Sequence, residues 1–299
     1  MPDPAGGAVA YRLVHETEYR YETPADNAWQ LAHLEPRACA WQSVDAHRVD
    51  IEPAPDERGA STDFFGNPVL RFALTRPHTQ LLVRASSRVT VRARAPAPGA
   101  DSPPWERVAR AFDDGDPALR FELAQFLVAS PQVPTLPTGA RVARTEFVPG
   151  RPWLEALVGL ARHIHRDFEF DPVATTVSTP VTAVIDARRG VCQDFAHLMI
   201  CCLRSIGLPA RYVSGYILTT PRPGQPRLAG ADASHAWVSA WCPGLGWVDC
   251  DPTNGKLADT EFVTLAWGRE YADVTPLRGV VRGGGRQRLD VRVTLEPAP

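Results

Sequence analysis

The sequence predicts an α+β protein in which an antiparallel, β-rich N-terminal domain precedes a core made of a cysteine-bearing helix packed on a second antiparallel sheet. Three observations support this fold class. Short alternating segments fill residues 10–95, a pattern typical of half-buried strands. Residues 190–207 are mostly apolar and run into Gly207-Leu-Pro209, as a buried helix with a conventional end does. Further alternating segments follow within residues 210–251.

The N-terminal domain is assigned to residues 1–95. Alternation and β-forming residues predict strands over residues 11–21, 44–51, 69–74 and 81–94. Asp63-Phe-Phe-Gly-Asn-Pro68 has the composition of a turn, with Gly66-Asn67 as the predicted hairpin corner. Several short strands separated by turns are typical of an antiparallel sandwich or an open barrel.

A linker and a helical connection are assigned to residues 96–152. Residues 95–104 are rich in Pro, Ala and Gly, and the helical stretch 105–129 is interrupted at Gly115 and Pro117. Three prolines make a second break within residues 130–139. An amphipathic helix is then predicted over residues 153–168, because apolar side chains recur at helical spacing on one face.

The catalytic core is assigned to residues 153–280. After the apolar helix, strands are predicted over residues 210–220, 235–242 and 247–251. A polar loop at residues 221–233 separates the first two strands, and Pro243-Gly-Leu-Gly246 is the predicted turn between the last two. Residues 281–299 hold a last strand, at 289–295, which is expected to return to the N-terminal domain.

Composition and charge limit the partners, the metal sites and the cellular location that the sequence predicts. The chain has 32 basic and 34 acidic residues, so its charges nearly balance and it lacks the positive electrostatic field that binds a polyanion. No nucleic-acid partner is therefore predicted. The N-terminus lacks the pattern of a signal peptide, and the longest apolar stretch, 198–203, is too short to span a bilayer. None of the six cysteines forms a C-x-x-C pair. We therefore predict a cytoplasmic protein with no membrane partner, no disulfide and no metal site.

Cys192 has the position expected of a catalytic thiol. It follows Gly190-Val191 and opens the apolar helix, whose N-terminus carries a partial positive charge and free N–H groups. Both features favour the thiolate, and the N–H groups would stabilise an oxyanion formed by attack on a carbonyl. Gly190 would let a substrate backbone approach closely. The alternative is a small buried structural cysteine, the interpretation that we adopt for the other five.

A predicted hairpin brings a histidine and a carboxylate to one face of the sheet. His235 begins a strand, and alternation places Trp237 on the same face. If Trp241 pairs with Trp247, Asp251 lies opposite Trp237 and diagonal to His235, roughly 7–8 Å away at the backbone. A slip of one residue would put the two side chains on opposite faces.

Asp251, rather than Asp249, is the predicted partner of His235. Asp249 shares the face but lies two residues further from the histidine, and we interpret it as a solvated strand charge. Cys192, His235 and Asp251 then have the logic of a nucleophile, a base and an orienting carboxylate.

Four sequence blocks resemble the bacterial transglutaminase-like family, in the family's order: Arg189-Gly-Val-Cys-Gln-Asp-Phe-Ala-His-Leu198, Gly207-Leu-Pro-Ala-Arg-Tyr-Val-Ser-Gly-Tyr216, Ala233-Ser-His-Ala-Trp-Val238 and Gly246-Trp-Val-Asp-Cys-Asp-Pro-Thr-Asn254. Tyr19-Arg-Tyr21, Asp63-Phe-Phe-Gly-Asn67 and Pro77-His78 look like the β-rich N-terminal region that accompanies this core. Trp267-Gly-Arg-Glu-Tyr-Ala-Asp-Val274 with Arg278-Gly279 looks like its C-terminal signature. Residues 96–152 are the least typical part.

The resemblance implies a papain-like transglutaminase core with a Cys-His-Asp triad. Matched residue by residue, the nucleophile falls at Cys192, the base at His235 and the aspartate at Asp251. It also implies that the core works without a metal, so no cofactor is predicted. Around the triad, the residues expected to contact a substrate are Gly190, Gln193, Trp237 and Tyr216.

The resemblance favours hydrolysis of a peptide or protein amide through a thioester on Cys192, because the chain lacks the large flanking β domains of animal crosslinking enzymes. Acyl transfer to an amine is the first alternative. A non-catalytic scaffold that binds a protein or peptide is the second, and an exposed edge of the N-terminal sheet could then add a peptide strand. Residues 221–233 are hypothesised to form a mobile lid over the cleft.

Overall fold

Two antiparallel sheets, a two-stranded parallel pair and several helices make up the described part of the chain. The structure is a computed structural model and describes residues 7–97, 100–114, 117–219 and 234–298. The loop hypothesised to be a lid, 221–233, lies outside the described residues. One sheet has seven strands and the other has five. The predicted α+β class is confirmed.

The first third of the chain forms five strands: β1 (Val9–Ala32), β2 (Gln42–Glu52), β3 (Glu57–Thr62), β4 (Pro68–Leu74) and β5 (His78–Val91). Four of them were predicted, β1, β2 and β4 with shorter bounds and β5 with bounds three residues later. β3 was not, because its residues carry no large apolar side chain and nearly all are exposed. β1 was predicted to be half its length, since the charged and small residues in its second half obscure the alternation.

Helices follow: α1 (Trp105–Asp114), α2 (Pro117–Ala124), α3 (Pro137–Ala143), α4 (Trp153–Asp167), α5 (Val181–Ala187) and α6 (Cys192–Arg204). The two-residue strands β6 (Glu169–Phe170) and β7 (Arg189–Gly190) pair in parallel and hold the segment that enters α6. Among the described residues, no helix is both long and apolar enough to cross a bilayer.

The second sheet carries strands β8 (Ala210–Ile217), β9 (Ser234–Cys242), β10 (Gly246–Asp251), β11 (Lys256–Leu257) and β12 (Phe262–Gly268), in the order β11-β10-β9-β8-β12. A short 3₁₀ helix, Tyr271–Asp273, leads back towards the first sheet. The chain ends in β13 (Leu277–Gly283) and β14 (Gln287–Pro297). β12 and β13 were not predicted.

The long strand β1 lies at the centre of the N-terminal sheet. β5 and β4 lie along one side of it, and β14 and β13 lie along the other, all antiparallel. β2 and β3 add outer positions beside β5 and β4. All seven strands are hydrogen-bonded into one sheet, and side chains from β1, β2, β4, β5 and β13 form a core cluster of their own. The last strand does pair with β1, but β13 joins the same sheet from residue 277, earlier than the predicted boundary at 281.

Helix α6 lies at the centre of the core of the second half. All its residues from Asp194 to Arg204 are buried, as expected for a helix that is apolar on every side. Arg204 is satisfied by backbone carbonyls, including Ala210 O at 2.9 Å and Arg269 O at 2.8 Å. The helix ends before Gly207, whose φ of +80° favours glycine. Burial of the whole body of α6 therefore fixes the position of its first turn, which carries Cys192.

The two sheets pack directly on each other. Their shared cluster contains Tyr11, Leu13, Val89 and Val91 from the first sheet and Tyr216, Val263 and Leu265 from the second. Each fully buried side chain of this size contributes about 1.5–3 kcal/mol. The predicted turn at 63–68 adds a polar contact, because the Asn67 side chain donates to Trp267 O at 2.8 Å and accepts from Trp267 N at 3.0 Å. The N-terminal sheet therefore supports the second sheet, where His235 lies.

Candidate active site

The β9–β10 hairpin has the register that the sequence predicts. Trp241 pairs with Trp247, and Cys250 pairs with Val238, so that Asp251 comes next, beside Trp237. This register brings His235 Nε2 within 2.8 Å of Asp251 Oδ2. The predicted contact between the two side chains is present.

Asp251 is fully buried and accepts hydrogen bonds on both oxygens. Thr253 N donates to Oδ1 at 2.8 Å, and Asn254 Nδ2 donates to Oδ2 at 2.6 Å. Burial alone would raise the pKa of Asp251, but its hydrogen bond with His235, the charge of that ring and the donors of Asn254 and Thr253 together hold the pKa below its ordinary value. Asp251 is thus held as a carboxylate. The role of Asn254 was missed, although the Asp-Pro-Thr-Asn sequence has turn chemistry.

His235 lies between Asp251 and Cys192. Burial lowers its pKa, but hydrogen bonds with Asp251 and with the Cys192 side chain, reinforced by their charges, outweigh burial and raise the pKa from 6.5 to about 10. Because Nε2 is occupied by Asp251, Nδ1 is the ring nitrogen available to the thiol. At neutral pH the ring is therefore an imidazolium that can give up a proton.

Cys192 is the first residue of α6 and is partly exposed. The turn that presents it is fixed by Asp194, whose Oδ2 accepts from Val191 N at 2.8 Å and from Thr175 Oγ1 at 2.6 Å. Asp194 therefore both caps the helix start and fixes the loop that carries Thr175. Gly190 has a different role from the predicted one. It is buried, and a Cβ there would lie 2.8 Å from Asp194 Oδ2, so the glycine makes room for Asp194 and not for a substrate.

Two other predicted substrate contacts are corrected by the structure. The Tyr216 side chain is 0% exposed, and its hydroxyl lies 2.8 Å from His15 Nδ1, so it joins the two sheets. Trp237 is also 0% exposed, and its ring stacks on His235 at 6.2 Å between centroids. Gln193 lies next to Cys192 at the surface, where its Nε2 donates to Val177 O at 3.2 Å, and its contact with a substrate stays a prediction.

A buried ion pair contacts Trp237, whose ring stacks on His235. Trp237 Nε1 donates to Asp249 Oδ2 at 3.1 Å, and the same oxygen lies 3.2 Å from Arg94 Nε. The Arg94 contact has ion-pair distance without hydrogen-bond geometry. The prediction that Asp249 is a solvated charge is therefore wrong. Its counter-ion comes from the segment that follows β5, a contact that spacing in the sequence does not reveal.

Replacement of Asp249 by Asn should cost about 3–5 kcal/mol of unfolding free energy, because it leaves Arg94 buried without a counter-ion. The matched control is Asp50→Asn, which breaks an exposed pair with Arg48 and should cost no more than about 1 kcal/mol. Urea unfolding of both variants checks the difference. Equal, small losses would mean that the buried pair does not stabilise the site.

Two tyrosines near Cys192 pack with a histidine: the Tyr212 ring lies 5.1 Å from that of His197 and 6.2 Å from that of Tyr271, between centroids. Burial, followed by the charge of Cys192, raises the pKa of Tyr212 well above its ordinary value, and both burial and that charge also raise the pKa of Tyr271. Their hydroxyls therefore stay protonated beside the thiol. Burial lowers the pKa of His197 to about 3, and its neutral Nε2 accepts from Tyr271 N at 3.1 Å. His197 is thus a neutral, packed histidine, and it holds the segment that carries Tyr271.

Comparisons with known proteins place the chain in a family. Residues 11–90 match the family model of the bacterial transglutaminase-like N-terminal region, and residues 144–252 match that of the transglutaminase-like superfamily. A candidate cysteine protease from Cytophaga hutchinsonii has a similar fold, with a TM-score of 0.76 at 18% identity over 98% of this chain and 92% of that one.

One sequence relative matches nearly the whole chain, and another matches part of it. An uncharacterised protein of Mycobacterium tuberculosis is 40% identical over 98% of this chain and 95% of its own length. A protein-glutamine gamma-glutamyltransferase of Pseudomonas aeruginosa is 34% identical over 126 residues, which are 37% of this chain and 19% of that protein. The chain therefore belongs to the transglutaminase-like superfamily and carries the bacterial transglutaminase-like N-terminal region.

Proposed function

We propose that the protein is a cysteine-dependent amide hydrolase, a peptidase or amidase, in which Cys192 is the nucleophile, His235 the acid and base, and Asp251 the residue that orients His235. The observation that carries the proposal is the continuous contact from Asp251 through His235 to Cys192 at the start of α6. A thiolate beside an imidazolium at a helix N-terminus is suited to attack on a carbonyl.

The reaction proceeds in two steps. The Cys192 thiolate attacks the amide carbon, and the free N–H groups of the first turn of α6 stabilise the oxyanion. The His235 imidazolium then gives its proton to the leaving nitrogen as the C–N bond breaks, which leaves a thioester. Neutral His235 next takes a proton from water, the hydroxide attacks the thioester, and the acid product leaves with the thiolate–imidazolium pair restored.

The proposed substrate is a peptide or protein, and the proposed location is the cytoplasm. All six cysteines are free, which suits a reducing compartment where a catalytic thiol stays active. No metal, cofactor, nucleic acid or membrane takes part in the proposed reaction.

Acyl transfer to an amine is the second candidate, and the similarity to a gamma-glutamyltransferase over 126 residues favours it. The two reactions share the thioester and differ in what resolves it. Peptide amides incubated with and without methylamine, followed by mass spectrometry, should yield the free acid in both cases. A product dominated by the methylamide would assign transfer instead, and Cys192→Ala is the control for both reactions.

A further inference from the structure

The outer edge of β14 is unpaired over residues 287–293, among the residues that the structure describes. β14 pairs with β1, residue for residue from Tyr11↔Pro297 to Tyr21↔Gln287, without a bulge. An exposed edge of this length is a template for another strand. Natural sheets often protect such edges with bulges or prolines, and residues 287–293 contain neither.

The direction of the free backbone groups follows from the hydrogen bonds at the two ends of the ladder. Glu22 N donates to Arg286 O at 2.9 Å, and Ala298 N donates to Ala10 O at 2.8 Å, so the even-numbered residues face β1. The odd-numbered residues therefore direct their N–H and C=O groups outwards. Between positions 287 and 293 they are Gln287, Leu289, Val291 and Val293.

These residues also form an apolar row. Val293 is buried against the second sheet, whereas Leu289 is 51% exposed and Val291 is 48% exposed on the same face. A strand added at this edge would cover the two exposed side chains and extend the apolar row across the junction.

The charges of β14 are complementary to themselves in one antiparallel register. With Val291 opposite Val291 of a second copy, Leu289 lies opposite Val293, and Asp290 lies opposite Arg292 in both directions. If the second strand were shifted by two residues in one direction, Asp290 would lie opposite Asp290 of the other copy. A shift by two residues in the other direction would place Arg292 opposite Arg292, so both alternative registers bring like charges together. Within one chain, Asp290 already pairs with Arg288 at 3.0 Å and Arg292 with Glu18 at 3.3 Å, so contacts across the edge would add to existing ion pairs.

From these observations we infer that the occupant of the β14 edge is a second copy of this chain, joined about a two-fold axis at Val291. Residues 289–293 of the two copies exchange backbone hydrogen bonds through their outward N–H and C=O groups. Two Asp290–Arg292 pairs fix the register. The two N-terminal sheets become one continuous sheet.

The opposite edge of the sheet does not offer the same contact. β2 has a bulge between Val44 and Ala46 and carries the acidic residues Asp45, Asp50 and Glu52. Bulged and acidic edges resist pairing with a copy of themselves. This edge therefore supplies the control.

Sedimentation velocity over a range of protein concentrations tests the proposal. The wild-type protein is expected to dimerise, and Asp290→Arg and Arg292→Asp should each weaken dimerisation about tenfold or more by creating like-charge pairs. An equimolar mixture of the two variants should regain the dimer, because the two arginines of one variant strand would then face the two aspartates of the other. The Asp50→Arg control should dimerise like the wild type.

Val291→Pro is a second, charge-independent variant. It removes an N–H that points outwards and leaves the hydrogen bonds with β1 intact, so it should give a folded monomer. Circular dichroism checks that each variant is folded. A wild-type protein that stays monomeric at high concentration, or a dimer that survives both single charge reversals, would overturn the proposal.

Discussion

Replacement of Cys192 by alanine is expected to abolish amide turnover, with kcat/KM reduced by roughly 10⁴–10⁶-fold. The other five cysteines are poor substitutes, because burial raises the pKa of each thiol. Burial raises the pKa of Cys39, and it also raises the pKa of Cys201 to about 11 and that of Cys242 to about 12. The measurement is hydrolysis of a peptide amide, identified first by screening the wild-type protein.

Cys39→Ala is the matched control, because Cys39 is the other described cysteine that is only partly buried. It should keep wild-type turnover. Hydrolysis by the Cys192→Ala variant at the rate of the control would mean that another group performs the chemistry, and the proposed mechanism would then be wrong.

Asp251→Asn should reduce kcat/KM by roughly 10²–10⁴-fold and move its alkaline limb to lower pH. The sign follows from the contacts of His235, since Asp251 raises the pKa of that ring towards about 10 through a hydrogen bond and a charge. Asparagine keeps the shape but removes the charge, so the imidazolium loses its proton at lower pH. The leaving nitrogen then lacks its acid under conditions where the wild type still works.

A pH–rate profile from neutral to strongly alkaline pH measures this shift. Asp50→Asn, on the exposed edge strand β2, serves as a control that keeps the wild-type profile. An Asp251→Asn profile with the wild-type alkaline limb would mean that Asp251 does not set the protonation of His235.

The sequence was sufficient where the relevant contacts are local. The hairpin register could be predicted because the two tryptophans, 241 and 247, are separated by a short turn, and alternation then fixes every face. The end of α6 could be predicted because Gly207 closes a mostly apolar stretch. Together these two local elements supply all three predicted members of the triad.

Sequence reasoning failed where the environment comes from distant parts of the chain. Asp249 was interpreted as solvated because its counter-ion, Arg94, is 155 positions away. Tyr216 was expected in the cleft because its partner, His15, belongs to the first sheet. In each case a tertiary contact decides the role of the side chain, and alternation alone shows only its face.

The central claim is that Cys192 is an activated thiolate paired with His235, and limiting iodoacetamide labelling at mildly acidic pH tests it most directly. Peptide mass spectrometry would compare the wild type with His235→Ala. We expect Cys192 to be modified first in the wild type, and about tenfold or more slowly in the variant, because the positive partner is lost. Slow labelling spread over several cysteines, unchanged by His235→Ala, would contradict the claim and favour a non-catalytic scaffold.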